Sequence, residues 1–516
     1  MRAVTAEVMQ ELDRTTISGY GVSGLELMER AGSHVATIVI SRFGNFKERT
    51  ALIVAGKGNN GGDGFVIARL LAEAGWSVSL LIFTAAYAGD AEANFRRTPP
   101  SVKQIDFKSA VQSEIEAIVQ GSAVIIDAIF GTGLKSGLEG HYAGLAALIN
   151  SSEKPVIAVD IPSGVDATSG RTLGGAIKAD ITVTFGAAKI GQLLYPGAGY
   201  VGELLVTDIG IPAVLVEKTA IIEFIDAEYA AKLVTPRSRT AHKGSYGHCL
   251  IVAGSCGKSG AAAMAANSAM RAGVGLVTLA VPCGIHPVVE VKTTEAMTVP
   301  LPESPAGAIA FDSLKVIEHL IEGKDVIAAG PGLGLDEETI AVIKGIVSTA
   351  KLPLLLDADA LNAVAEDISI LPGSSSPTVV LTPHPGEMAR LTGASVTAIE
   401  SDRIGAARHF AATNGCYLLL KGARTVIAAP DGRIAINSTG NPGMASGGMG
   451  DVLSGVITAL LAQGYEPFDA CCLGAYCHGL AGDMVAEEKG EIGLIATDVQ
   501  EMVPYAFKKL LEVRIS

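Results

Sequence analysis

Residues 55 to 64 read AGKGNNGGDG and stand between the apolar run ALIV and the segment FVIARLLAEAG, whose apolar positions recur at helical spacing. A strand, a glycine-rich turn and a helix in that order make a βα unit, and units of this kind stack into an α/β fold around a parallel sheet. Gly56, Gly58 and Gly61 fit the G-x-G-x-x-G spacing that lets a pyrophosphate approach a helix N-terminus. That spacing alone is a weak signal. A dehydrogenase would also place an acid roughly 20 residues on to hold the adenosine ribose, whereas WSVSLLIFTAAYAG has no carboxylate before Asp90. The loop is therefore expected to serve something other than an ordinary redox dinucleotide.

At 516 residues the chain exceeds what one hydrophobic core usually organises, so two domains are expected, 1–220 and 221–516. From Ala51 to about Ile211 the runs ALIVAG, VSLLIF, AVIIDAIFG, PVIAVDIPSG and ADITVTFG alternate with helical or loop segments. Continuous apolar runs of this length suit strands buried on both faces of a parallel sheet. The stretch EKTAIIEFIDAEYAAKLVTPRSRTAHKGSYG interrupts this rhythm. A second series follows, with HCLIVAGS, GLVTLAVP, DVIAAGPGLG, LPLLLDADALN, TVVLTPHPGE and CYLLLKGARTVIAAP as its strands. AAAMAANSAMRAG and DEETIAVIKGIVSTA are expected to be helices between them. The predicted architecture is an α/β chain with two parallel-sheet domains.

Lys and Arg number 39 against 53 acids, a formal charge of −14, which excludes the basic surface that nucleic acid or an anionic membrane requires. The seven cysteines, Cys249, Cys256, Cys283, Cys416, Cys471, Cys472 and Cys477, form no C-x-x-C pair and are expected to be free thiols of a reducing compartment. MRAVTAEVMQELDRTT is too polar for a signal peptide. No apolar run approaches the roughly 18 residues of a membrane helix. A cytoplasmic protein without nucleic-acid or membrane partners, assembled as a homo-oligomer, is expected.

Open α/β sheets bind ligands beyond the carboxyl ends of their strands. Four polar clusters fall there in the first half: GNNGGDG (58–64), DAIFGTGLKSG (127–137), VDIPSGVDATSG (159–170) and FGAAK (185–189). Asn59, Asn60, Asp127 and Ser163 offer hard oxygen ligands for an alkali or alkaline-earth cation, and Gly131, Thr132 and Gly133 offer backbone N–H groups to a phosphate. Each glycine can equally be a tight turn and each strand-end Asp a helix cap. In this order, across most of residues 1–215, the clusters resemble the NAD(P)H-hydrate epimerases, which have a Rossmann-like fold and invert C6 of hydrated NADH or NADPH (NADHX, NADPHX) with a bound potassium ion. The resemblance implies that Asn59, Asn60, Gly61, Gly62 and Asp63, together with Gly131, Thr132, Gly133, Leu134, Lys135, Ser136 and Gly137, hold the hydrated dinucleotide. It implies that Asn60, Asp127 and Ser163 ligate potassium and that Asp160 acts at the reacting carbon, with Lys189 either its partner or a structural lysine.

In the second half NSTGNPGMASGGMGDVLSGVITALLAQG, residues 437–464, places five glycines before Asp451 and a helical pattern after it. Such a loop turns unpaired N–H groups and a helix dipole toward a phosphate. A carboxylate there would repel that phosphate, so Asp451 is read as a base beside a hydroxyl being phosphorylated, with an N-cap as the structural alternative. G-x-G-D at a helix start resembles the ribokinase-like superfamily. With HKGSYGHCLIVAGSCGKSGAA, GPGLG, DADALN, LTPHPGEMARL and LKGARTVIA in order over residues 235–510, the half is similar to the ADP-dependent NAD(P)H-hydrate dehydratases. The usual SGAP of that family reads SGAA here, at Ser259 to Ala262.

That resemblance implies that Ala261, Gly332, His384 and Asp451 contact the hydrated nucleotide. Lys421, Gly422, Ala423, Arg424, Thr425 and Gly450 would contact ADP or AMP. Magnesium would be held through water by Glu387 and Asp357, for which helix capping is the alternative. His384 stands between two prolines in TPHPGE, a context taken to exclude a helix and to hold the imidazole near a phosphate. The implied chemistry is epimerisation of R and S hydrates followed by ADP-dependent dehydration of the S epimer, with AMP and phosphate released. The competing reading is a vitamin-type small-molecule kinase in the second half, joined to a non-catalytic binding module.

Overall fold

The structure is a computed structural model that describes residues 1–134, 137–172, 174–219 and 222–515. The chain divides into two compact units, Arg2–Ile221 and Ile222–Ser516. In the first unit the strands are β1 (Arg2–Val4), β2 (Thr50–Ala55), β3 (Ser77–Ile82), β4 (Lys103–Asp106), β5 (Val124–Ala128), β6 (Val156–Val159), β7 (Ile181–Phe185), β8 (Ala188–Lys189) and β9 (Glu203–Thr207). Seven of them form one sheet in the order β4-β3-β2-β5-β6-β7-β9, and every pairing in it is parallel. The order reverses between β2 and β5, and that is where the crevice of a doubly wound sheet opens. The five apolar runs of the sequence became β2, β3, β5, β6 and β7. The edge strands β4 (KQID) and β9 (ELLVT) carry no such run because their residues are largely exposed or half-buried. Outside this sheet β1 pairs in parallel with β8, setting Val4 beside Lys189.

The glycines of 55–64 divide by function. A Cβ on Gly56 would lie 1.9 Å from the carbonyl oxygen of Ile129, and one on Gly61 would lie 1.9 Å from that of Gly56. These two glycines let the turn and the helix Asn59–Glu73 close against the end of β5. A Cβ on Gly58 would meet nothing within 4 Å. Two of the three motif glycines are therefore packing residues.

The second unit holds β10 (Ile222–Ile225), β11 (His248–Val252), β12 (Leu276–Pro282), β13 (Met297–Leu301), β14 (Val326–Ala329), β15 (Leu354–Leu356), β16 (Val379–Leu381), β17 (Tyr417–Leu420), β18 (Val426–Ala428) and β19 (Ile434–Asn437). Their order is β13-β12-β11-β14-β15-β16-β17-β18-β19-β10. The ladder is parallel from β13 to β17, antiparallel across β17-β18-β19, and parallel again between β19 and β10. CYLLLKGARTVIAAP thus makes two strands, its turn using Gly422 at φ 146° and Arg424 at φ 61°. The stretch expected to interrupt the strands contributes β10. Helices Ser259–Arg271, Met449–Ala462 and Pro467–Lys489 share one apolar core with the strands. All seven cysteines are free thiols, five of them buried. No helix among the described residues is long and apolar enough to cross a membrane.

The glycine geometry gives a stability test. Gly61→Ala must push two backbone segments apart, and overpacking of this kind typically costs about 1–3 kcal/mol. Gly58→Ala should be near neutral. Scanning calorimetry of the two variants should show a lowered first-unit transition for Gly61→Ala only; equal melting would contradict the packing role.

Candidate functional site

A cavity of about 540 Å³ opens beyond β2 and β5, at the switch point of the first sheet. Lys57, Asn59, Asn60 and Asp63 line it after β2, Ile129 to Leu134 after β5, Asp160 after β6, and Lys189 from β8. Asp160 has a φ of 66°, a left-handed backbone few non-glycine residues adopt. Two bonds hold that turn: its N–H donates to the Val183 carbonyl at 2.8 Å, and Gln192 Nε2 donates to its own carbonyl at 2.6 Å. Lys189 is 1% exposed and spends all three ammonium hydrogens, on Asp160 Oδ1 at 2.6 Å, Thr184 Oγ1 at 2.8 Å and the Phe185 carbonyl at 3.0 Å. A methyl group on Gly131 would stand 3.3 Å from Asn60 Oδ1 and 3.5 Å from Asp160 Oδ2, so both oxygens border the space this glycine leaves open. Asn60 Nδ2 is buried without a hydrogen-bond partner among the described residues.

Several expected residues sit elsewhere. Gly61 and Gly62 are absent from the cavity wall because they pack inward, Gly62 against Met28. Gly137 is not among the lining residues, and Lys135 and Ser136 lie outside the described residues. Asp127 is fully buried, its oxygens accepting from Ser163 N at 2.7 Å, Ser163 Oγ at 2.6 Å and Ile129 N at 3.3 Å. Burial raises this carboxyl to about 6 despite those bonds.

Several cavity residues had no signal in the sequence motifs, the acids Asp13 and Asp90 among them. Asp13 comes from the helix Ala6–Tyr20, whose Met9, Asp13 and Ile17, spaced four apart, face the cavity. Burial raises the Asp13 carboxyl to about 6, with Lys189 opposing and Asp160 adding to the shift. Burial, then Asp160 and Asp13, push Asp63 well above the carboxylate range. An acid at helical spacing between two apolar residues was the only available hint.

The second unit repeats the pairing of a lysine with a strand-end aspartate, the lysine here half-buried. Asp357, which follows β15 and is 1% exposed, accepts from Lys421 Nζ at 2.7 Å and from Ser454 Oγ at 2.6 Å. Burial favours a neutral Lys421, but Asp357 and Glu387 outweigh it and hold the ammonium above its ordinary value. A Cβ on Gly450 would lie 3.3 Å from Lys421 Nζ and 3.6 Å from Asp357 Oδ2, so Gly450 rests on this pair. The helix Met449–Ala462 is capped by Gly448 at φ 92°, and Asp451 lies inside its first turn. The N-cap alternative for Asp451 is therefore not what forms. Burial raises Asp451 to about 7, with Asp357 and Asp359 adding and Lys421 opposing.

Gly332, at φ 65°, is brought against Ala261, since a Cβ there would lie 3.0 Å from Ala261 Cβ. Lys258 bridges to Asp359 at 3.0 Å. His384 corrects the expectation of a helix-free segment: it is the N-cap of the helix Pro385–Thr392, in which proline takes the first position. Proline is tolerated there because that N–H has no helical partner to lose. His384 Nδ1 accepts from Gly386 N at 3.0 Å and Glu387 N at 3.2 Å, which leaves the ring hydrogen on Nε2, 3.4 Å from Glu387 Oε1. Burial and then Lys421 lower this imidazole. Lys421, Gly422, Ala423, Arg424 and Thr425 form the β17–β18 turn, and Arg403, unforeseen in the sequence, donates to the Leu420 and Lys421 carbonyls at 3.1 and 3.2 Å. No cluster of three or more His, Cys, Asp or Glu at metal-holding positions occurs among the described residues.

Two α/β units, one with an all-parallel sheet and one with a mixed sheet, each with a lysine–aspartate pair where its strands end, have the build of an enzyme that acts on small molecules. Residues 249–505 match the family described as NAD(P)H-hydrate dehydratase, and residues 24–191 match the family described as YjeF-related protein N-terminus. The chain is 43% identical to the bifunctional NAD(P)H-hydrate repair enzyme Nnr of Moorella thermoacetica, covering 99% of this chain and 98% of that one. It is 37% identical to the enzyme of the same name from Escherichia coli, covering 96% and 92%. A crystal structure of the ADP/ATP-dependent NAD(P)H-hydrate dehydratase from Bacillus subtilis, co-crystallised with ATP and Mg2+, is 32% identical with a TM-score of 0.49, covering 56% of this chain and 98% of that chain. The chain belongs to the bifunctional NAD(P)H-hydrate repair enzyme family. The reading as a kinase fused to a binding module is not favoured.

The environment of Asp451 is testable without turnover. In carbon-13 NMR of aspartate-labelled protein its carboxyl should titrate at about 7. Asp357→Asn, which removes a negative neighbour, should lower that value, and Lys421→Met should raise it. Titration near the ordinary value of about 3.9 in all three proteins would contradict the shared field.

Proposed function

We propose that the chain repairs hydrated nicotinamide nucleotides in two steps, each run in its own unit. The first unit interconverts the R and S forms of NADHX and NADPHX. The second dehydrates the S form at the expense of ADP. The observation that carries this reading is the pair of strand-end sites, each with a free aspartate oxygen or carboxyl beside a lysine paired to an aspartate, in a chain of this family.

In the first site Asn59, Asn60 and Asp63, with the 131–137 loop, would hold the hydrated dinucleotide. Asp160 would act at C6. Its Oδ1 is tied to Lys189, which leaves Oδ2 for the substrate. In the second site Lys421, Gly450 and the 422–425 turn would receive the diphosphate, and Ala261, Gly332 and His384 the hydrated ring. Asp451 would take the proton of the C6 hydroxyl as the β-phosphoryl group of ADP transfers to that oxygen and AMP departs. The C6–O bond to phosphate then breaks as C5 loses a proton, which restores the ring double bond. Magnesium bound to phosphate oxygens would neutralise charge as the phosphoryl group moves. Such a site needs only one or two carboxylates; Glu387, whose Oε2 accepts from His384 N at 2.8 Å and so caps its own helix, would supply one through its other oxygen, Asp357 being committed to Lys421 and Ser454.

The variants Asp160→Asn and Asp451→Asn should separate the two activities, read by NADH absorbance on mixed hydrates with ADP and magnesium. The first should consume S hydrate normally and leave R hydrate to its spontaneous epimerisation. The second should epimerise normally and dehydrate at least about a hundredfold more slowly, the usual worth of a general base. A base raised to about 7 also makes the wild-type dehydration rate rise with pH through that value and level off above it. Loss of both activities in either variant would defeat the division of labour.

A potassium ion fits Asn60, Asp127 and Ser163. These are oxygen donors with a single charge among them, and Asp127 is a buried carboxyl whose described partners are all neutral N–H or O–H groups. A cation there would supply the missing positive charge. Potassium should accordingly raise the melting temperature of the first unit and its epimerase rate more than sodium does; equal effects of the two salts would remove the ion from the site.

A further inference from the structure

The cavity of the first unit holds more acid than the reaction so far uses. Asp13, Asp63, Asp90 and Asp160 reach it from four separate elements, the helix Ala6–Tyr20, the helix Asn59–Glu73, the helix Gly89–Arg96 and the end of β6. The buried ammonium of Lys189 is fully spent on Asp160, Thr184 and Phe185. Among the described residues no group donates a hydrogen bond to the Asp13 carboxyl. Asp13 lines the wall formed by the first helix, next to Met9 and Ile17, and lies ahead of residue 24, where the family match of this unit begins.

Inversion at C6 through loss and return of water sets a requirement that one carboxylate does not meet. The carbon bears a hydroxyl on one face and must finish with a hydroxyl on the other, so on this route oxygen leaves from one side and arrives from the opposite side. A leaving hydroxyl needs a proton, and an arriving water must lose one. Two proton-transferring groups on different walls of the cavity satisfy both.

We infer that Asp13 is a second catalytic residue of the epimerase, the partner of Asp160 across the hydrated ring. The inference rests on the epimerase reading of this unit. Asp13, as the acid, gives its proton to the departing C6 hydroxyl. The C6–O bond breaks to release water, and the N1 lone pair becomes the N1=C6 π bond. Water then adds to C6 from the other face, the π pair returns to N1, and the proton shed by the new hydroxyl passes to Asp160. Solvent in the open cavity carries that proton back to Asp13 between turnovers. For the other epimer the same two groups exchange roles. The raised affinity of Asp13 for a proton, caused chiefly by burial, suits it to the donor's part.

The test is epimerisation by the full-length chain, with R and S hydrates resolved by chromatography. Asp13→Asn should lower kcat at least about a hundredfold, with KM within threefold, the melting temperature unchanged and dehydration of S hydrate unaffected. Should the Asn variant not fold, Asp13→Ala gives the same reading, since alanine is the best helix former at a half-exposed helical position. Either folded variant retaining kcat within threefold overturns the role of Asp13, and loss of activity in Asp160→Asn under the same conditions would show the epimerase reading standing without it. A wild-type chain that does not epimerise overturns both. Wild-type turnover in water enriched in oxygen-18 should place label on C6 with each inversion; inversion without label overturns the water-loss step.

Discussion

A lysine ammonium removed from water must be met by a carboxylate, and in both units that pairing is made where a parallel strand ends. Lys189 with Asp160 and Lys421 with Asp357 stand at 2.6 and 2.7 Å. Removing one partner of a buried pair strands the other charge at a cost of about 3–5 kcal/mol, so each pair ties several loops to one arrangement. Lys189 joins β8 to the Asp160 turn and, through Thr184 and Phe185, to β7. Lys421 joins the end of β17 to that of β15, and Ser454 brings the helix of Asp451 to the same carboxylate. The sheet sets where the strands end, and the ion pair sets how the loops beyond them are folded.

The glycines around these pairs do two kinds of work. Gly56 and Gly61 permit backbone-to-backbone contact that closes the first βα turn. Gly131 and Gly450 instead leave space next to charged atoms, beside Asn60 and Asp160 in one unit and beside Lys421 and Asp357 in the other. A side chain at the first pair would break the fold, and one at the second would fill the site.

Burial makes the remaining acids useful. Asp13, Asp63 and Asp127 in the first unit and Asp451 in the second are all raised by desolvation, and for Asp13, Asp63 and Asp451 neighbouring carboxyls add to the effect. Carboxyls set close together and out of water keep their protons to a higher pH than free acids do.

The local readings survive folding because their causes are local. The runs ALIVAG, AVIIDAIFG and PVIAVDIPSG are strands because only a sheet covered on both faces can bury such segments, and the polar ends that follow them become the site. The helix of Asp451 follows from a glycine-rich turn leading into an apolar run. Edge strands such as KQID were illegible, since a half-exposed strand needs no apolar pattern, and the helix at Pro385 was hidden by a proline that suits its first position. The chain order carries no trace of which carboxyls share a field. Asp13 and Asp160 are 147 residues apart by their numbers, yet they line one cavity. Proximity, burial and the sum of nearby charges are properties of folded space, and so the motifs mark the strand ends while the packing of distant elements settles which carboxyls share one environment.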